Sequence, residues 1–123
     1  MKITRYKLKL CIDLVNKKIK TELNNNSRLF KIAKKYCRNQ KIKFKYFKCN
    51  INNINFIYDK ENHWAETDCK NIWLNTYKNF TFNLLYYTLL HEKLHGIILR
   101  DGKYELSESL EHKIMYEYDS LLI

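Results

Sequence analysis

The stretch Phe82-Asn83-Leu84-Leu85-Tyr86-Tyr87-Thr88-Leu89-Leu90-His91-Glu92-Lys93-Leu94-His95-Gly96-Ile97-Ile98-Leu99 decides how this chain is read. It is apolar nearly all round, which describes a helix buried in the interior rather than one lying on a surface. Set into it is the pattern HExxH, His91 to His95. Positions four apart on a helix stack one turn above each other, so both imidazoles can face one metal ion with Glu92 beside them. Ionisable side chains left unpaired in such a helix cost roughly 1–3 kcal/mol each, and metal ligation supplies their partners. Neutral imidazoles leave net positive charge on a zinc ion, which lowers the pKa of a bound water towards 7. A neighbouring carboxylate can then act as general base and acid, the role expected of Glu92. Asn79 or Thr81 caps the start and Arg100-Asp101-Gly102 the end, giving a helix over about 81–100.

Two histidines bind zinc weakly, so a third protein ligand is required. Ser107 is a good N-cap for a second helix, along which Leu110, Ile114, Tyr118, Leu121 and Leu122 form an apolar stripe about 120° wide. Glu111 falls inside that stripe, about 50° from its centre, whereas Glu108 lies about 110° and His112 about 150° away. A carboxylate within an inward stripe is costly unless paired. Glu111 is therefore the expected third ligand, with His112 and Glu108 as alternatives. His63, in the polar run Asp59-Lys60-Glu61-Asn62, reads as a solvated loop residue.

Upstream, Leu8, Ile12, Val15, Ile19 and Leu23 recur at helical spacing, predicting a helix over about 5–23. Asn24-Asn25-Asn26-Ser27 turns the chain and caps a short second helix containing Leu29, Phe30, Ile32, Ala33, Tyr36 and Cys37. Ile42-Phe44-Tyr46 and Ile54-Phe56-Tyr58 alternate with polar residues as strands do, and Asn71-Ile72-Trp73-Leu74-Asn75 is a third short strand. The expected architecture is α+β: N-terminal helices, a small three-stranded and mainly antiparallel sheet, the metal helix, and a C-terminal ligand helix.

At 123 residues the chain is expected to form one domain, 1–123. It has neither a charge-free run of about 18 apolar residues nor a signal-peptide pattern, so an intracellular, cytoplasmic protein with no membrane partner is expected. Cys11, Cys37, Cys49 and Cys69 show no CxxC pairing and read as reduced, mostly buried thiols. The abundance of Lys, Asn, Ile and Tyr matches the coding bias of an AT-rich genome, such as that of a low-GC bacterium, a phage or a large DNA virus. Of the net charge of +10, residues 1–50 carry sixteen Lys and Arg against two acids, and residues 51–123 carry seven against eleven. So basic a lobe suits nucleic acid or an acidic protein as partner; the competing explanation is that Lys is simply the default surface residue of such a proteome.

From about Trp64 to Asp119 the chain resembles small zincin metallopeptidases of the SprT-like and ImmA/IrrE-like kinds. The resemblance rests on the strand Ile72-Trp73-Leu74-Asn75 followed by the helix Leu89-Leu90-His91-Glu92-x-x-His95. It implies a minimal zincin-like fold in which the strand before the active helix borders the cleft. An extended peptide would add there, held by backbone near Ala65–Glu66 or at Ile72, Trp73 and Leu74. It further implies a tyrosine donating to the oxyanion: Tyr118 is the candidate, with Tyr104 and Tyr116 beside it. The expected function is zinc-dependent hydrolysis of a protein or peptide substrate, one located on nucleic acid if the basic lobe contributes. The rival expectation is a non-proteolytic binding or inhibitor protein of phage or viral type, acting through its basic lobe.

Overall fold

A computed structural model of the chain describes residues 4–41, 44, 53–57, 64–67, 71–75, 78, 81–98 and 107–123. In chain order the elements are α1 (Arg5–Glu22), α2 (Arg28–Asn39), β1 (Asn53–Ile57), β2 (Ala65–Thr67), β3 (Asn71–Asn75), α3 (Phe82–Ile98) and α4 (Glu108–Tyr118). The class is α+β, as expected.

The helices begin beside side-chain caps, at Ser27, Thr81 and Ser107 as predicted and at Thr4 for the first. Thr4 accepts from the Lys7 N–H, Ser27 from Phe30 and Ser107 from Leu110, each satisfying an amide that the first turn leaves unpaired. Thr81 does the same for Leu84 at 3.2 Å, ahead of α3. α3 is the axis of the core: Leu85, Leu89, Leu90, Leu94, Ile97 and Ile98 are all buried. Fully burying a side chain of this kind stabilises by about 1.5–3 kcal/mol, so from Thr88 onward the helix is held by packing rather than by amphipathicity; its buried run is Thr88 to Glu92 and Leu94 to Ile98. α1, β2 and α4 all pack against it, and Cys11 and Val15 of α1 and Leu110 and Ile114 of α4 are buried in the same core. Leu122 joins the core, but Leu121 is 60% exposed because α4 ends at Tyr118, before the predicted stripe does.

The sheet departs from expectation in two ways. Its order is β1-β3-β2, and its longer ladder, β1 with β3, is parallel; only the shorter one, β2 with β3, is antiparallel. The thirteen residues 58–70 separate β1 from β3, enough for a crossover, whereas three residues separate β2 from β3, which forces an antiparallel return. Among the described residues β2 is the third strand, and the Ile42–Tyr46 expectation falls outside them except at Phe44. Phe44 lies outside any strand and packs edge-on against Phe30, 5.5 Å between centroids.

The central position of β3 overturns the assignment of Ile72, Trp73 and Leu74 as substrate-binding backbone. Their strand is flanked by β1 on one side and β2 on the other, and Ile72 and Leu74 are fully buried, so no peptide can add there. Of the two edges, β2 is the one packed against α3.

α2 fixes α4. The Arg28 guanidinium donates to the carbonyls of Tyr118 (2.8 Å) and Glu117 (3.1 Å), which the end of a helix leaves open. Lys35 and Tyr36 both donate to the Glu117 carboxylate, at 3.0 and 3.1 Å. Part of the basic charge of the N-terminal half is thus spent on seating the last helix. Cys11 and Cys37 are buried free thiols, as expected. Cys49, Cys69, His63, Tyr104 and the Arg100-Asp101-Gly102 stop lie outside the described residues. No helix among the described residues is long and apolar enough to cross a membrane.

Candidate metal centre

His91 and His95 project from successive turns of α3, and His112 reaches them from the first half of α4. The three lie close together and could hold a metal ion, with a ligand atom from each within 4.8 Å of the others. Nε2 of His95 stands 3.0 Å from Nε2 of His91 and 3.1 Å from Nε2 of His112. Hydrogen bonding does not account for this convergence. A ring nitrogen carries either one N–H or one in-plane lone pair, so Nε2 of His95 can satisfy one neighbour but not both. Three lone pairs facing one cation satisfy all three. With bonds of about 2.0–2.1 Å at tetrahedral angles, ligand nitrogens lie roughly 3.3 Å apart, close to the separations here.

Such a donor set requires neutral rings, and the surroundings favour them. Burial, then the nearby His95 and His112, push His91 from 6.5 down to about 3. Burial and His95 also lower His112, against the opposing pull of Glu108 and Glu111. In the metal-free protein the unfolded chain therefore binds more protons than the folded one between those depressed values and 6.5. Stability then rises with pH across the window: it is fully present above about 6.5 and is lost as pH falls. The melting temperature of metal-free protein is expected to drop between about pH 7 and pH 5. Scanning calorimetry checks this, and a flat profile would contradict the placement of the rings.

Glu111 is where the helical wheel puts it, fully buried, but it is not among the converging ligands. Its Oε2 lies 3.3 Å from Nδ1 of His95, on the opposite side of that ring from the cluster. The contact is at ion-pair distance, with an angle that falls short of a hydrogen bond. A carboxylate beside Nδ1 orients the ring so that Nε2 faces the cluster. The expectation that Glu111 is the third ligand is thus corrected: among the described residues the third member is His112, with Glu111 behind His95. Glu108 is exposed and acts on His112 only through its charge.

A second correction concerns the tyrosine. Tyr118 is buried away from the cluster, its ring under the cations of Lys18 and Arg28. Burial and the charge of Glu22 push its hydroxyl well above the ordinary range. Tyr116 is the tyrosine beside the cluster, with its ring 5.9 Å from that of His91 and 5.7 Å from that of His112. Burial, then the charge of Glu92, raises the Tyr116 hydroxyl. The signal in the sequence is spacing: Tyr116 follows His112 by four, so whatever faces the metal at His112 is shared one turn on. Glu92 itself is buried at 6% exposure, His112 is partly exposed and Tyr116 is 42% exposed, so the cluster is walled on the α3 side and open beside α4.

Comparison with family models, with curated proteins and with solved structures finds no match to this chain.

Proposed function

We propose that this chain is a zinc-dependent endopeptidase built on the minimal zincin plan that its HExxH helix resembles. The observation that carries the reading is the convergence of three imidazole Nε2 atoms beside a buried carboxylate, with one side of the cluster open. Three protein ligands and a free position characterise catalytic rather than structural zinc sites. His91, His95 and His112 would hold the ion. When bound, zinc supplies a Lewis acid that polarises a carbonyl and makes water a nucleophile near neutral pH.

The remaining chemistry belongs to the chain. Glu92 accepts the proton of the attacking water and passes it to the departing amide nitrogen. Glu111 keeps the His95 ring in the orientation that ligates. Tyr116, on the open side, donates a hydrogen bond to the oxyanion, a role suited to a phenol whose pKa is raised and which therefore stays protonated. The outer edge of β2, against α3, receives the substrate as an added strand. The basic surface of α1 and α2 favours substrates that are acidic or carried on nucleic acid.

The test is hydrolysis of an unstructured protein by the zinc-loaded chain, followed by gel and mass spectrometry. Cleavage is expected to stop on chelation, to return with zinc, and to be absent from Glu92→Gln. Cleavage that survives chelation would place the activity elsewhere.

A further inference from the structure

Away from the metal centre, α1 and the first turns of α3 enclose a groove of about 440 Å³. One lip is a stripe of α1, Leu14, Lys17, Lys18 and Thr21, at i, i+3, i+4 and i+7. The facing lip is aromatic, with Phe82, Tyr86 and Tyr87 from α3. None of His91, His95, His112 and Glu92 lines it. The volume falls in the range of small-ligand sites, about 300–1,000 Å³.

The two lips differ in chemistry. Lys17 and Lys18 are exposed ammonium groups, and Lys18 leans over the Tyr118 ring at 5.6 Å. Tyr86 and Tyr87 meet edge to face, 5.1 Å between centroids, and present ring surface to the cavity. Leu14, 40% exposed, adds apolar surface between the charges and the rings. Among the described residues no carboxylate lines the groove; Asp119, whose charge acts on the Tyr86 hydroxyl, accepts from the Leu121 N–H at 2.9 Å. The two lysines draw an anion to the α1 lip, while a flat uncharged group suits the aromatic lip.

We propose that this groove binds single-stranded nucleic acid, with a base laid against Tyr86 and Tyr87 and the adjoining phosphates on Lys17 and Lys18. Regularly spaced negative charge joined to flat π-faces matches both lips at once. An acidic peptide matches only the lysines, and a duplex hides the base faces. The site needs no metal, so its failure leaves the peptidase reading untouched, and the reverse also holds.

The experiment is fluorescence anisotropy of the full chain with a labelled oligothymidylate of about 12 nucleotides, alongside a duplex and an oligoglutamate of equal length. The single strand is expected to bind about tenfold more tightly than either. Lys17→Gln with Lys18→Gln should weaken binding about tenfold and reduce the slope of log affinity against log salt by about 1.4, two single-strand phosphate contacts. Tyr87→Leu should weaken it by a similar factor and Tyr87→Phe should not, because the stacking face is kept. Circular dichroism verifies that each variant is folded; should Tyr87→Leu not fold, the lysine pair decides. Affinity unchanged by the lysine pair, a duplex bound as tightly as the single strand, or oligoglutamate bound equally well would each overturn the proposal.

Discussion

Glu92→Gln is expected to lower the rate of peptide hydrolysis by about 10²–10⁴-fold while zinc remains bound at one ion per chain. The size follows from what the amide loses. Gln keeps the shape of Glu and its ability to accept a hydrogen bond, so the substitution fits the 6%-exposed site without leaving a cavity. It cannot hold a proton and pass it on, which removes general acid–base catalysis and leaves the ligands in place. The Tyr116 hydroxyl provides an independent readout, because Glu92 is the charge that raises its pKa beyond the effect of burial. In Glu92→Gln that pKa should move back down, as ultraviolet titration of the tyrosines in metal-free protein would show. Undiminished cleavage by Glu92→Gln would remove the basis for the mechanism. Lost cleavage with lost zinc would mean that Glu92 maintains the site rather than reacts in it.

The second large effect separates His112 from Glu111. His112→Ala is expected to weaken zinc binding beyond about 100-fold, the upper range for loss of a supporting partner, and to abolish hydrolysis. His112 is partly exposed on α4, so its removal should leave the helix content and the core unchanged. Glu111→Gln is expected to weaken zinc by about 10–100-fold and to slow hydrolysis without abolishing it, since the contact at 3.3 Å reaches the metal only through His95. Competition with a chromophoric chelator measures both. The reverse ranking, with Glu111→Gln more damaging than His112→Ala, would return Glu111 to the ligand set.

These two residues also show how far the sequence could be read. The wheel placed Glu111 inside the apolar stripe of α4, and it is fully buried. The cost of burying that carboxylate suggested a metal bond, but one of its partners is the imidazole of His95. Periodicity measures which face of a helix meets the core. The His91–His95–His112 cluster is completed at the border of the buried face, where His112 and Tyr116 stand and where the apolar pattern carries no information. Tyr118, on the core face, stands away from that cluster. The helices were legible because the caps Ser27, Thr81 and Ser107 act locally and because the apolar period of the first helix is local too. The sheet was less so. β2 is three residues long, too short for alternation to show, and the parallel pairing of β1 with β3 joins residues eighteen apart, a relation that no local pattern encodes.

The account rests on one zinc ion held by three imidazoles, and X-ray absorption at the zinc edge on the purified, zinc-loaded chain tests that most directly. It should give one zinc per chain with three imidazole nitrogens at about 2.0–2.1 Å and a fourth light-atom neighbour that is not from the protein. The imidazole count should fall by one in His112→Ala and stay unchanged in Glu111→Gln. Two imidazoles and a carboxylate in the wild type, or a zinc shell containing no imidazole, would contradict it.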